Sequence, residues 1–257
     1  MEKGYSSDTR MIFRFMEPEK IEEIEIFAND MQQEEYHTLN SPEEVEEMFG
    51  EISYKFLETN PQSEVQVLKS YTSFIYKEIN AIMRNKWNYE ENGRLTPEIK
   101  KEYQKKGERM INLIRKFPSL NQNIKVYRGT SLRQFRDYGI NDLSELPNMV
   151  GKYIYDSSFT STSLMRDKSL LGMKNFFTGE RNIEIEYLIP AICQDGAILL
   201  DSYSKEESEF LINASNLSKI TKVVVDKENN KAYVQALLIP KMLWDPYQME
   251  EKIDMQK

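Results

Sequence analysis

Ile124-Lys125-Val126-Tyr127-Arg128-Gly129 opens the part of the chain that decides its fold. It is a short β-type run, apolar at alternate positions, and it ends on an arginine and a glycine. From Pro118 onward such runs alternate with turns rich in Gly, Pro, Asn and Asp. They span residues 124–128, 153–162, 182–189, 197–200, 208–212, 219–226 and 231–239, with a helical patch over 166–177. Asp226-Lys227-Glu228-Asn229-Asn230-Lys231 reads as the turn of a hairpin. Upstream the periodicity is helical. Residues 11–16 fit a short strand or a helix start, and residues 18–60 read as helices broken by turns. In Asn40-Ser41-Pro42-Glu43-Glu44, Ser41 is a cap, Pro42 the first helical residue, and two acids fill the first turn. Leu68, Tyr71, Ile75, Ile79 and Ile82 recur every three or four residues and predict a helix over 63–85. Thr96-Pro97-Glu98 starts another that runs to Lys116. Helices first and strands second make an α+β order with a mostly antiparallel sheet, not a βαβ repeat.

The chain has 257 residues, 34 Lys and Arg against 42 Asp and Glu, and a net charge of -8. That length supports one large domain with a substantial core. An acidic balance argues against nucleic acid as partner, because such proteins present a basic face. The single cysteine, Cys193, excludes an internal disulfide and a thiolate metal cluster. The single histidine, His37, lies in an acidic segment and reads as a solvated side chain. No apolar run approaches the ~18 residues of a membrane span, and the N-terminus shows no signal-peptide core. The expectation is a soluble protein, cytoplasmic or delivered by a route other than Sec.

Three pieces carry chemistry. Arg128 suits bidentate capture of a phosphate or carboxylate, and the following Gly129 is read as letting the backbone turn sharply. In Ser158-Phe159-Thr160-Ser161-Thr162-Ser163, alternation sends Ser161 and Ser163 to one face and Thr162 to the other. Small hydroxyls there can hold a neighbouring carboxylate. In Glu207-Ser208-Glu209 the same period is expected to put two carboxylates on one face, roughly 6.5–7 Å apart along the strand. Paired acids with different roles suit chemistry at an anomeric carbon. Glu-x-Glu recurs at Glu184 and Glu186 and again at Glu23 and Glu25, so the motif alone does not pick the site.

The ordered set Tyr127-Arg128, Ser161-Thr162-Ser163 and Glu207-Ser208-Glu209 resembles the arginine-type mono-ADP-ribosyltransferases, in the group with the enzymatic components of bacterial binary toxins. The resemblance runs in consistent order over about residues 45–240. Tyr71-Thr72, Tyr76 and Asn80 look like the helix face that contacts NAD in that family. Arg181 resembles the arginine that helps hold the phosphates, and Tyr203 the aromatic of the loop that reads the target. Ser158 departs from the asparagine often found three places before the first serine. The resemblance implies a two-sheet β core behind N-terminal helices. The core would be residues 61–245, with 1–60 a helical lead-in of the same domain and 246–257 a tail. It implies that NAD is a consumed co-substrate and that no metal is needed. Arg128 and Arg181 would clamp the pyrophosphate, Ser161 would hold Glu209, and Glu209 would engage the nicotinamide ribose. Glu207 would serve an arginine of a target protein, actin or a bacterial protein, with the enzyme acting as a monomer. Two other readings remain open: an NAD glycohydrolase, and a non-catalytic interaction domain on a decayed transferase fold. A glycosidase is disfavoured because only Trp87 and Trp244 are present for sugar stacking.

Overall fold

The structure is a computed structural model that describes residues 7–84, 96–168, 182–193, 195–200 and 208–245. Its helical part holds α1 (Ser7–Arg14), α2 (Pro18–Met31), α3 (Pro42–Thr59), α4 (Gln62–Ser70), α5 (Tyr76–Met83) and α6 (Pro97–Ile114). The starts follow local chemistry. Ser41 Oγ accepts from Glu44 N at 3.2 Å, and Thr96 Oγ1 accepts from Ile99 N at 3.4 Å; a proline follows each cap. The 63–85 helix is interrupted. A π-helical turn, Tyr71–Ile75, separates α4 from α5. The stretch at 11–16 is settled as the end of a helix, not a strand.

The strands are β1 (Ile124–Thr130), β2 (Tyr153–Asp156), β3 (Thr160–Ser163), β4 (Ile183–Ile189), β5 (Gly196–Leu199), β6 (Glu209–Ile212), β7 (Asn216–Asp226) and β8 (Lys231–Ile239). The run read as 153–162 is thus two strands, and α7 (Lys241–Trp244) follows the last. Strand order is β2-β7-β8-β4-β1-β3-β6-β5. Every pairing is antiparallel except β4 with β8. The ladder narrows at one seam: β1 and β3 meet only through Tyr127 and Ser163. The eight strands thus form one sheet rather than the two expected, with a five-stranded and a three-stranded portion joined by one residue pair. β5 begins at Gly196, where any Cβ would run into the ring of Phe210.

Alternation assigns the two faces. Ile183, Ile185 and Tyr187 join Val126 in the main core, beneath Val45, Phe49 and Phe56 of α3 and Met110, Leu113 and Ile114 of α6. Each fully buried side chain of this kind contributes about 1.5–3 kcal/mol. On the other face Tyr153, Leu188, Leu217, Leu237 and Ile239 are covered by Ile24 and Ala28 of α2. Lys219 pins α2 there, with Nζ 2.6 Å from Glu25 Oε2, while the Tyr153 hydroxyl donates to Glu25 Oε1 at 2.9 Å.

Candidate active site

Ser161 and Glu209 meet across the β3–β6 pair. Ser163 faces Glu209 and Ser161 faces Leu211, so Ser161 and Glu209 are diagonal neighbours on one sheet face. The Ser161 hydroxyl donates to Glu209 Oε1 at 2.6 Å. Thr162 points the other way, as alternation requires, and its hydroxyl donates to the Phe210 carbonyl at 2.5 Å. Glu209 is 3% exposed, so its carboxylate is largely withdrawn from water and held by a neutral donor.

Arg128 reaches this pair from across the seam, where Nη1 donates to the Ser161 carbonyl at 3.0 Å. Its Nε is buried with no hydrogen-bond partner among the described residues. A buried N–H of a cation without a partner is costly, and an anion such as a phosphate is the group that satisfies it. Arg128 also faces Tyr187. Burial pushes that phenol up to about 12, while the charge of Arg128 pulls against the shift. Gly129 does not produce the sharp turn expected of it. β1 continues in register through Gly129 to Thr130, opposite Glu184 and Ile183.

Tyr71 and Asn80 exchange hydrogen bonds, at 3.2 Å from the phenol to Oδ1 and 2.9 Å from Nδ2 to the phenol oxygen. On a regular helix nine residues turn through about 900°, which leaves two side chains on opposite sides. The π turn adds a residue to the count, and Ile75 leaves helical geometry at φ -100°, ψ 9°. Together these bring the two side chains to one side. Tyr71 is only 1% exposed, and its ring packs edge-on against Phe159 with centroids 5.2 Å apart. It therefore supports the site from behind. Burial raises its phenol well above the ordinary value, with Asn80 opposing; Glu209 adds to the rise, and Arg128 and Arg84 oppose it. Tyr76 and Asn80 are half-buried and keep surface to offer.

A further expectation needs correction. Glu207-Ser208-Glu209 is not a continuous strand: β6 starts at Glu209, and Ser208 has a left-handed φ of 46°. Period-2 alternation requires extended backbone, so it does not set the relation of Glu207 to Glu209. Glu207, Arg181 and Tyr203 lie outside the described residues.

The sequence reading missed an ion pair beside the site. Arg84, one helical turn after Asn80, donates to Asp156 through Nε at 3.1 Å and Nη2 at 2.8 Å. Ser158 donates to the same carboxylate through N at 2.9 Å and Oγ at 2.8 Å. The helix with Tyr71 and Asn80 is thereby tied to the β2–β3 connection. The spacing Asn80 to Arg84 was the one signal available. Burial works to raise the Asp156 carboxyl, but Arg84 and Ser158 outweigh it and hold the carboxyl below the ordinary 3.8. A depressed folded value gives stability that is complete above the unfolded value and lost as pH falls through the folded one. Asp156→Asn should therefore cost about 2–3 kcal/mol at neutral pH. That is less than the ~3–5 of a fully buried pair, because the Arg84 side chain is 34% exposed. Denaturant melts of parent and variant should converge below pH 3.8; a gap that stays constant with pH would refute this account.

Elsewhere His37 Nε2 sits 3.0 Å from Glu44 Oε1, remote in role from this cluster. Cys193 is buried and its thiol is pushed well up by that burial. Among the described residues no group of three or more His, Cys, Asp or Glu is placed to hold a metal ion. No helix among them is long and apolar enough to cross a membrane.

A sequence model described as ADP-ribosyltransferase exoenzyme matches residues 46–241. The chain belongs to that family, so its reaction class is transfer of ADP-ribose with NAD as the consumed co-substrate. Among solved structures it is similar to C3stau2 from S. aureus, solved with NAD, at 16% identity and a TM-score of 0.60, covering 81% of this chain and 100% of that one. It is also similar to the Clostridium limosum C3 exoenzyme at 18% identity and a TM-score of 0.57, covering 80% of this chain and 98% of that one. The enzymatic component C2-I of the Clostridium botulinum C2-toxin matches at 18% identity and a TM-score of 0.60, over 80% of this chain and 50% of that one. Identities this low speak for the fold. No curated protein matches the sequence.

Proposed function

We propose that the protein is a mono-ADP-ribosyltransferase that moves ADP-ribose from NAD to an arginine of a target protein and releases nicotinamide. The observation that carries the reading is the 2.6 Å bond from Ser161 to the withdrawn Glu209 carboxylate, with Arg128 bonded to the same serine's backbone. Arg128 holds the pyrophosphate, with Arg181 as its helper. Asn80 and Tyr76 line the NAD side of the helix and Tyr71 backs them. Ser161 fixes Glu209, whose charge engages the ribose 2′-hydroxyl and stabilises the cationic sugar as the bond to nicotinamide breaks. The leaving nicotinamide takes the bonding pair. The guanidine nitrogen of the acceptor forms the new bond to the anomeric carbon, and Glu207 takes its proton.

The catalytic core is taken as residues 61–245. Residues 1–60 belong to the same domain, since Ile24 and Ala28 close one face of its sheet. Tyr203 is assigned to target reading. The test is incubation with labelled NAD and lysates of bacterial and animal cells, followed by mass mapping. Label on arginine supports the reading; actin and a bacterial protein are the two target classes it separates. Nicotinamide release without any label would make the protein a glycohydrolase.

The acceptor role of Glu207 has its own signature. A guanidinium with a pKa above ~12 needs a local carboxylate to become nucleophilic, whereas water attacking a cationic sugar does not. Glu207→Gln should reduce transfer to protein by about a hundredfold or more, within the usual range for a lost general base, and spare NAD hydrolysis. Nicotinamide release and label transfer measured side by side decide it. Equal loss of both would assign Glu207 to NAD binding instead.

A further inference from the structure

The seam between β1 and β3 divides the proposed site. Arg128 stands on one side of it, and Ser161 with Glu209 on the other. One strand pair, Tyr127 with Ser163, joins the two sides. The Arg128 bond to the Ser161 carbonyl is a second tie, and a third comes from a side chain outside the proposed chemistry. Arg166, three residues beyond β3, donates through Nε to Glu184 Oε1 at 2.6 Å and through Nη2 to Oε2 at 3.4 Å. Glu184 belongs to β4, so the contact passes over β1 from the three-stranded to the five-stranded portion. Gly129, the β1 residue in register with Glu184, has no side chain to stand between them. This gives Gly129 a purpose other than a turn.

The pair is asymmetric. Glu184 is 4% exposed on its side chain and Arg166 is 55% exposed. A carboxylate so withdrawn from water requires a partner, so Glu184 holds Arg166 in place and not the reverse. The guanidinium also lies 5.8 Å from the centroid of the Tyr233 ring, the β8 neighbour of Glu184. Tyr127, the strand partner of Ser163, has its phenol raised by burial first and then by Glu186, with the Arg166 charge among the opposing influences.

We propose that Arg166 and Glu184 are positioning residues that clamp the seam and fix the spacing between Arg128 and the Ser161–Glu209 pair. This rests on the reading of those three residues given above. NAD spans both sides of the seam in that reading, so a looser seam leaves each half able to bind its end. What it loses is the alignment needed as the glycosidic bond breaks, and a misplacement of ~1 Å costs up to about a hundredfold in rate. The expected signature is a fall in kcat with little change in KM.

The test is steady-state nicotinamide release by Arg166→Met/Glu184→Gln, which removes both charges and leaves no buried carboxylate stranded. We expect kcat to fall between about tenfold and a hundredfold, with KM for NAD within about threefold and the thermal midpoint within a few degrees of the parent. Arg166→Lys, which keeps one charged bond, should recover most of kcat. Parental kcat in the double variant would overturn the clamp. So would a loss of kcat that tracks a collapse of the melting point, or Arg166→Lys falling as far as the double variant. Glu209→Gln, assayed alongside, separates the two failures. If it is inactive while the double variant is normal, the clamp alone is wrong. If it is active, the site assignment is wrong.

Discussion

Glu209→Gln should abolish NAD turnover, lowering both transfer and hydrolysis by about a thousandfold, as loss of a preorganised charge at a developing cation does. The change is nearly isosteric. The amide oxygen still accepts from the Ser161 hydroxyl, and the strand pairs of residue 209 with Ser163 and Leu199 use backbone only. Glu209 is 3% exposed, so removing its charge relieves desolvation. Stability should therefore hold while activity goes, and that separation is the diagnostic feature. Purified variant and parent are compared by thermal melt and by nicotinamide release. A near-parental rate in a folded variant would move the site, with Glu184 and Glu186 the first candidates. Glu184 is a poor replacement on physical grounds, because Arg166 already neutralises it. Glu209 accepts from the neutral Ser161 hydroxyl.

That contrast shows where sequence reading reached its limit. Glu184 and Glu209 each follow a Glu-x-Glu pattern, and both end up buried. What distinguishes them is the partner, a guanidinium 18 residues earlier in one case and a hydroxyl 48 residues earlier in the other. Only the order of motifs singled out Glu209, and order is an argument from resemblance. Local signals served better. Caps at Ser41 and Thr96 fixed two helix starts, and alternation in Ile183-Glu184-Ile185-Glu186-Tyr187 assigned both faces of β4. The β7–β8 hairpin lies where its polar turn put it.

The misses are of two kinds. Some signals were present and not used. Asp142 and Glu145 form a capping box that starts the 3-10 helix Leu143–Met149, and the spacing was visible in the sequence. Others have no local signature. The π turn at Tyr71–Ile75 arises where a helix must serve core and site at once, and α-helical periodicity extrapolates straight through it. The left-handed Ser208 is paid for by context: its carbonyl accepts from Leu164 N at 2.8 Å in the turn before Glu209. The single-pair seam is a property of tertiary packing, and no window of sequence contains it.

Arg128→Lys tests the other side of that seam. Lysine keeps the charge but loses the planar fork, and with it the Nε donor that is buried without a hydrogen-bond partner among the described residues. If that donor serves a phosphate, the loss is one charge-assisted hydrogen bond, worth about 1.5–3 kcal/mol. That corresponds to a fall of roughly 10- to 150-fold in kcat/KM. The effect should enter mainly through KM, because pyrophosphate contacts are made in the ground state as well as in the transition state. The Nη1 bond to the Ser161 carbonyl is lost as well. Since Tyr127 with Ser163 and Arg166 with Glu184 still cross the seam, the fold should survive. NAD binding by titration, kcat and KM by nicotinamide release, and a thermal melt together distinguish the cases. Unchanged KM with a lower kcat would mean that Arg128 acts by aligning Ser161 and not by holding NAD. Parental kinetics would reduce Arg128 to a strand residue and leave the phosphate grip to Arg181.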